Sequence, residues 1–245
     1  MEKFDLLTLG EVLLRLSPKE NKRIVRSMEF ESHVGGAELN VASGVSLLGL
    51  HTGIISKLPA NAIGELARSK VRSMNVSDDY LVWDHTEDAR LGSYFYESAT
   101  FPRKPQVVYD RKHSSITRIS IDEFPEEMYT STRCFHVSGI TLALCPEART
   151  CAVEMIKRFK QAGAMISFDV NFRLNLWTGA EAKECIEGIL PYVDIFFCSE
   201  DTARLTFLKE GTLEDIMRSF TKEYPIQIVA STQRVVHSPK QHSFG

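Results

Sequence analysis

Gly35-Gly36-Ala37-Glu38-Leu39-Asn40-Val41-Ala42 joins an extended polar segment, residues 21–33, to a helix. Two adjacent glycines at such a junction let backbone amides come within hydrogen-bonding distance of a ligand, because glycine has no Cβ. The helix that begins after them points its unpaired N–H groups toward whatever binds there. A tight turn into a helix is the alternative interpretation of the two glycines.

Apolar residues recur at helical spacing after the glycines, at Ala37, Val41, Val45 and Leu48. This spacing predicts that the four side chains form the buried stripe of the helix. Asn40 lies at the flank of the stripe near the first turn, where a side-chain amide can bind the hydroxyl groups of a ligand. The pattern favours a binding site for a hydroxylated ligand at the two glycines and Asn40.

The composition argues against several classes of protein. With 245 residues and 43% hydrophobic content, the chain can bury the core of one large α/β domain, which we predict to span residues 1–245. A formal net charge of −3 without basic blocks argues against binding to nucleic acid or to a membrane surface. No signal-peptide pattern is present, and no apolar stretch approaches the ~20 residues of a membrane span. Five cysteines without C-x-x-C or metal-ligand spacing indicate reduced thiols and a cytoplasmic protein.

Short apolar runs alternate with helical patterns along most of the chain. The runs that we predict to be buried strands cover residues 5–10, 51–56, 133–138, 164–169, 193–198 and 226–231. Helical spacing covers residues 63–74 and 148–159. This alternation predicts βαβ units and a mainly parallel sheet, with ligands bound at the carboxyl ends of its strands.

Two segments, residues 11–33 and 89–109, contain β-prone residues without helical spacing. We predict that they form a small, mostly antiparallel sheet that projects from the main one. Tyr94, Tyr109 and Arg111 lie in or beside it, and residues two apart on a strand share a face. The planar guanidinium of Arg111 suits a carboxylate ligand. An exposed arginine beside packed aromatic rings is the alternative.

Asp169, Asn171 and Arg173 follow the strand predicted at residues 164–169. They therefore lie at the carboxyl end of a strand, where active-site loops are found in parallel sheets. A helix N-cap formed by Asn171 beside a solvated arginine is the structural alternative. His136 lies inside a predicted strand, which indicates a core histidine and not a catalytic base.

These segments, in this order, resemble the PfkB (ribokinase-like) carbohydrate kinases. Residues 34–42 are similar to the first signature of the family, and the Ala-Glu-hydrophobic-Asn version resembles the branch that phosphorylates 2-keto-3-deoxygluconate. The resemblance implies a ribokinase-like three-layer α/β sandwich with a mainly parallel central sheet. It also implies a small β-sheet lid that closes over the sugar and pairs with a second subunit in a homo-oligomer.

The resemblance implies site residues and cofactors as well. The substrate-binding residues would be Gly35, Gly36, Asn40, Tyr94, Tyr109, Arg111, Ile140 and Arg173. The nucleotide-binding residues would be Asn171, Arg173, Ser199 and Ser231. ATP and Mg²⁺ would be the cofactors. Ser199 and Thr202 stand where the family usually has an Asn-x-x-Glu motif, so the metal ligands stay unassigned, with the carboxylates of Glu200 and Asp201 nearby.

The second signature of the family, a Gly-Ala-Gly-Asp type of loop, follows the region where this sequence ends. We therefore expect the catalytic base to be an Asp beyond Gly245 and the kinase to be C-terminally incomplete. The leading hypothesis is phosphorylation of 2-keto-3-deoxygluconate to its 6-phosphate by ATP. A kinase for a neutral sugar such as fructose or ribose, and a non-catalytic sugar-binding relative, are the alternatives.

Overall fold

The computed structural model describes residues 3–98, 102–238 and 241–245. The chain divides into two compact units. The larger unit comprises Met1–Leu9 and Ser120–Gly245, and the smaller unit comprises Gly10–Ile119. Each unit combines parallel strands with helices, so the predicted α/β class is confirmed. The prediction of a single domain over residues 1–245 stays a prediction.

The strands of the described residues are β1 (Phe4–Leu9), β2 (Leu13–Pro18), β3 (Phe30–Gly35), β4 (Thr52–Pro59), β5 (Val76–Asp84), β6 (Gly92–Glu97), β7 (Gln106–Asp110), β8 (Thr132–Ser138), β9 (Met165–Asp169), β10 (Ile195–Phe197), β11 (Ile228–Ala230), β12 (Arg234–Ser238) and β13 (Gln241–Phe244). The α-helices are α1 (Ala37–Leu47), α2 (Ala62–Ser73), α3 (Gly139–Ala143), α4 (Pro146–Gln161), α5 (Gly179–Glu187), α6 (Glu200–Phe207) and α7 (Leu213–Glu223). Short 3₁₀ turns cover Lys19–Asn21, Ile24–Arg26, Ser115–Arg118, Ile121–Glu123, Glu126–Thr130 and Leu190–Tyr192.

The larger unit is built on five parallel strands in the order β11-β10-β9-β8-β1. Phe135 of β8 stacks on Phe159 of α4, with ring centroids 4.3 Å apart. Phe196 of β10 packs against Phe220 of α7 at 4.9 Å. All four rings are buried, so aromatic contacts join the sheet to its helices. The pair β12–β13 is antiparallel and was not predicted.

The smaller unit contains a βαβ crossover in which α2 connects the parallel strands β4 and β5. Strand β5 was not predicted, because acidic residues interrupt its apolar pattern. Asp78 of this strand accepts hydrogen bonds from Arg68 at 2.5 Å and from Arg72 at 2.9 Å, and both arginines belong to α2. The polar residues therefore pack against the crossover helix and do not mark a loop.

Four strands of the smaller unit form a separate small sheet in the order β3-β2-β6-β7. Strand β2 pairs antiparallel with β3 and parallel with β6, and β6 pairs antiparallel with β7. The predicted small sheet is confirmed, and it is mostly antiparallel as predicted: two of its three strand pairings are antiparallel, and the pairing of β2 with β6 is parallel.

The buried face of α1 differs from the prediction. Leu48 is 82% exposed and Val41 is 37% exposed, whereas Leu39 and Ala42 are fully buried. The predicted stripe was wrong because a polar residue of α1 is buried with a partner: the Ser46 hydroxyl donates to the backbone oxygen of Asn75 at 2.9 Å. A search for apolar residues at helical spacing does not detect a buried polar residue such as Ser46.

Among the residues that the structure describes, none of the helices has the length and apolar character that crossing a membrane requires.

Gly36→Ala is expected to destabilise the protein, because a Cβ at position 36 would lie 2.3 Å from the backbone oxygen of Glu11. Relief of this overlap requires backbone movement, and we expect a loss of about 1–3 kcal/mol in the free energy of unfolding. The matched control is Gly44→Ala inside α1, the helix that follows Gly36, where a Cβ has no neighbour within 4 Å. The control should gain up to about 1 kcal/mol through helix propensity. Urea denaturation would test this, and equal stabilities of the two variants would contradict it.

Candidate functional site

One face of the small sheet brings together several of the predicted sugar-binding residues. In the strand register, Arg15 of β2 lies opposite His33 of β3 and Tyr94 of β6, and Tyr94 lies opposite Tyr109 of β7. Directly opposite residues share a face, as do residues two apart on a strand, so Gly35 belongs to the same face. We call it the tyrosine face. The rings of Tyr94 and Tyr109 are 5.6 Å apart, and Tyr109 is 48% exposed.

Arg111 follows β7 directly, and its guanidinium lies 5.8 Å from the centre of the Tyr109 ring. Its Nη2 donates to Oε2 of Glu11, whose Oε1 accepts a 2.6 Å hydrogen bond from the Ser114 hydroxyl. The Glu11 side chain is 3% exposed and that of Arg111 is 14% exposed. Burial raises the pKa of Glu11, although the charge of Arg111 and the hydrogen bond from Ser114 oppose the shift. The predicted carboxylate-binding arginine thus holds a carboxylate of the protein itself.

Two glycines leave room for Glu11. A Cβ at Gly92 would lie 2.3 Å from Oε1 of Glu11, and a Cβ at Gly36 would lie 2.3 Å from its backbone oxygen. Sequence reasoning missed Glu11, and the available signal was an acidic residue directly after the first buried strand.

Asn40 is exposed at the start of α1, and its Oδ1 would lie 3.6 Å from a Cβ at Gly35. The smaller unit therefore places Asn40 and Gly35 close together.

A cavity of about 510 Å³ opens in the larger unit at the carboxyl ends of β9, β10 and β11. All four predicted nucleotide-binding residues line it: Asn171, Arg173, Ser199 and Ser231. Burial raises the pKa of Asp169 at its edge, and hydrogen bonding from the Asn171 N–H and the charge of Arg173 oppose this shift. The Asn171 N–H donates to Oδ1 of Asp169 at 3.0 Å. Asn171 adopts a left-handed conformation with φ 37°, and Arg173 is exposed.

Two serines contribute hydroxyl groups to this cavity. Ser199 caps α6: its Oγ accepts from the Thr202 N–H at 3.3 Å and donates to the Thr202 hydroxyl at 2.8 Å. The buried Ser231 Oγ has no hydrogen-bond partner among the residues that the structure describes. The cavity thus combines hydroxyl groups with one exposed guanidinium, which suits a ligand that carries hydroxyl and phosphate groups.

The residues near this cavity do not form a complete metal site. Within residues 3–98, 102–238 and 241–245, no group of three or more His, Cys, Asp or Glu side chains is arranged to hold a metal ion. Glu200 pairs with Arg204 at 2.7 Å, whereas Asp201 lines the cavity. Asp169 also lines the cavity, and one or two carboxylates fit Mg²⁺ that is held mainly by water and phosphate oxygens.

Two residues of β8 and α3 lie apart from the nucleotide-binding set. Ile140 is the second residue of α3, its N–H donates to the Ser138 hydroxyl at 3.2 Å, and it does not line the cavity. His136 is buried and its Nδ1 lies 2.9 Å from the Ser167 Oγ. Burial lowers the pKa of His136 from its usual 6.5 to about 4, so it is the core histidine that its position in the strand indicates.

The comparisons with known proteins found similarity over residues of both units. Residues 3–233 match the model of the pfkB family carbohydrate kinases. A 2-dehydro-3-deoxygalactonokinase from Haloferax volcanii is 32% identical over 229 residues, which are 94% of this chain and 71% of that protein. A 5-dehydro-2-deoxygluconokinase from Listeria monocytogenes is 28% identical over 180 residues, or 73% of this chain. The chain spans only 54% of the length of that kinase.

A solved structure is similar as well. The crystal structure of 2-dehydro-3-deoxygluconokinase from Thermotoga maritima superposes with a TM-score of 0.88 at 32% identity, covering 98% of this chain and 78% of that one. The similarity therefore extends over both units of the chain. The strands and helices described above are those of the fold seen in the solved structure of this kinase.

The free energy of unfolding should rise with pH between about 4 and 6.5 on account of His136. The unfolded chain binds this proton more tightly, so stability falls as the pH drops through 6.5 and levels off near 4. A shift of this size corresponds to about 3 kcal/mol. Urea denaturation at several pH values should show the effect in the wild type and not in His136→Gln. The exposed His113→Gln variant is the control, and identical pH profiles for the wild type and His136→Gln would contradict the prediction.

Proposed function

The chain belongs to the pfkB family of carbohydrate kinases, and we propose that it serves the ATP-dependent phosphorylation of 2-keto-3-deoxygluconate to its 6-phosphate. The relatives from Haloferax volcanii and Thermotoga maritima are named for 2-dehydro-3-deoxy sugar acids, that is, 2-keto-3-deoxy acids. The family relationship supports a carbohydrate kinase, and the names of these relatives favour a sugar acid as its substrate.

The tyrosine face is the observation that carries this proposal. Gly35, Tyr94 and Tyr109 share it, and Arg111 lies two residues beyond Tyr109. Tyrosine hydroxyl groups donate and accept hydrogen bonds, and a backbone next to glycine can approach a ligand closely. We assign the hydroxyl groups of the sugar to Gly35, Gly36 and Asn40, and its acid end to Tyr94, Tyr109 and Arg111. Ile140 and Arg173, which the predicted substrate set also contains, belong to the larger unit, and their contact with the sugar stays a prediction.

The cavity of the larger unit is the proposed nucleotide site. Asn171, Ser199 and Ser231 would hydrogen-bond to ATP, and Arg173 would contact its phosphates. A guanidinium at the phosphates can offset the charge that develops during phosphoryl transfer. Mg²⁺ would be bound through the phosphates of ATP. The catalytic Asp expected beyond Gly245 stays a prediction, as do the cytoplasmic location and a homo-oligomer that pairs through the small sheet.

One observation favours the neutral-sugar alternative. Arg111 already pairs with the buried carboxylate of Glu11, so the charge on which the sugar-acid argument depends is largely compensated. A kinase for fructose or ribose would not require a free positive charge at this position.

Calorimetric titration of this chain with 2-keto-3-deoxygluconate, 2-keto-3-deoxygalactonate and fructose tests the choice of substrate. We expect both acids to bind at least about tenfold more tightly than fructose, because a hydrogen bond to a charged group contributes about 1.5–3 kcal/mol. Tighter binding of fructose would favour the neutral-sugar alternative. A folded chain that binds none of the three would contradict the proposed sugar site.

Arg173→Met is expected to weaken ATP binding about tenfold, since one charged contact to phosphate would be lost. The control is Arg218→Met, which removes the same charge from an exposed position on α7, where Arg218 pairs with Glu214. Titration with ATP and Mg²⁺ would measure both variants against the wild type. Equal affinities for all three proteins would rule out a phosphate contact by Arg173.

A further inference from the structure

We propose that Arg15 supplies the positive charge that binds the carboxylate of the sugar acid, which makes it a specificity-determining residue of the tyrosine face. The inference rests on the proposed function, because it takes the tyrosine face as the surface that binds the sugar acid. Arg15 was not among the residues selected from the sequence.

The charges near the tyrosine face point to Arg15. Arg111 pairs with Glu11, and His33 lies 3.9 Å from the carboxylate of Glu31. Arg15, in contrast, forms no ion pair with any residue that the structure describes; its guanidinium carbon lies 5.9 Å from the centre of the Tyr96 ring. Among the arginines on or next to this face, Arg15 is therefore the one whose charge a ligand would have to balance.

The position of Arg15 suits a ligand that lies against the two tyrosines. It is directly opposite Tyr94, which is in turn opposite Tyr109, so the three side chains form a row across three strands. The same face also carries Gly35, two residues from His33, which is the other neighbour of Arg15. An acid group bound by Arg15 would therefore lie beside the surface proposed for the rest of the sugar.

Unpaired donors support an anionic ligand at this position. The Nε of Arg15 is buried and lacks a hydrogen-bond partner within the described part of the chain, and so does the Oγ of Ser17, two residues further along the same face. Buried donors without partners are unfavourable, and a carboxylate offers two acceptor oxygens to such groups. The side chain of Arg15 is half-buried, which strengthens a charged hydrogen bond relative to one in water.

The two arginines would then have different roles. The pair formed by Arg111 and Glu11 carries no net charge and would hydrogen-bond to acids and neutral sugars alike. Arg15 would discriminate between them, because a neutral sugar would cover its guanidinium without balancing the charge. Selectivity for the acid would then follow from Arg15, although Arg111 is engaged within the protein.

The test is a titration of wild type, Arg15→Met and Arg111→Met with 2-keto-3-deoxygluconate and with its methyl ester, which lacks the charge. We expect the wild type to prefer the acid by about 10–100-fold, as a hydrogen bond to a charged group implies. Arg15→Met should remove this preference and change the affinity for the ester by less than about twofold. Arg111→Met should weaken both ligands by a similar factor. Arg26→Met removes an exposed arginine of the same unit and should keep the wild-type ratio.

The outcomes separate this proposal from the proposed function. If the wild type prefers the acid and Arg15→Met keeps that preference, the assignment of Arg15 is wrong and the sugar-acid function stands. If the folded wild type binds neither the acid nor the ester, the proposed function fails and the assignment of Arg15 fails with it. Should Arg15→Met not fold, Arg15→Gln provides the same test, since glutamine is polar and uncharged.

Discussion

The ion pair between Glu11 and Arg111 is the interaction on which the smaller unit depends. Glu11 precedes β2 and Arg111 follows β7, yet β6 lies between these two strands in the sheet. The carboxylate can reach across β6 because the strand has Gly92 at that point, where a Cβ would overlap with the carboxylate. The backbone of Glu11 in turn excludes a side chain at Gly36. The buried carboxylate thus links the start of β2 to the end of β7, and the backbone of the same residue restricts the entry to α1. Breaking a buried pair of this kind typically costs about 3–5 kcal/mol.

The same pair changes how charge is distributed over the tyrosine face. The argument for Arg111 from the sequence was that its planar guanidinium suits a carboxylate and that it lies two residues from Tyr109. In the structure, the positive charge of Arg111 is compensated within the protein, and the uncompensated charge belongs to Arg15. Because charges that are partly removed from water interact strongly, a residue's identity alone does not reveal whether its charge is available to a ligand. The partner of that residue has to be known as well.

The sequence predicted those parts of the molecule that depend on apolar periodicity. The run at residues 133–138 became β8, and the helical spacing at residues 148–159 became α4. It failed where polar residues are buried or partly buried with partners. The partly buried Asp78 interrupts the apolar pattern of β5, and the buried face of α1 differs from the predicted one because Ser46 is bound to the backbone of Asn75. The motif residues Asn171, Arg173, Ser199 and Ser231 were predicted to act together, and they line one cavity. Glu11 and Arg15 were missed, because their importance comes from contacts across strands that no local pattern records.

The close fit of Gly92 against Glu11 also restricts how this sequence can change. Any side chain at position 92 would collide with the carboxylate as long as Glu11 is present. A shorter residue at position 11 would remove the collision with the carboxylate but not the overlap with Leu13, whose Cδ2 would lie 2.9 Å from a Cβ at position 92, and it would leave the guanidinium of Arg111 without its partner. Substitutions at these positions are therefore epistatic and ordered: position 92 can accept a side chain only after position 11 has changed and the Leu13 side chain has moved, and position 11 changes most easily once Arg111 has been replaced. Three positions far apart in the chain thus form one evolutionary unit.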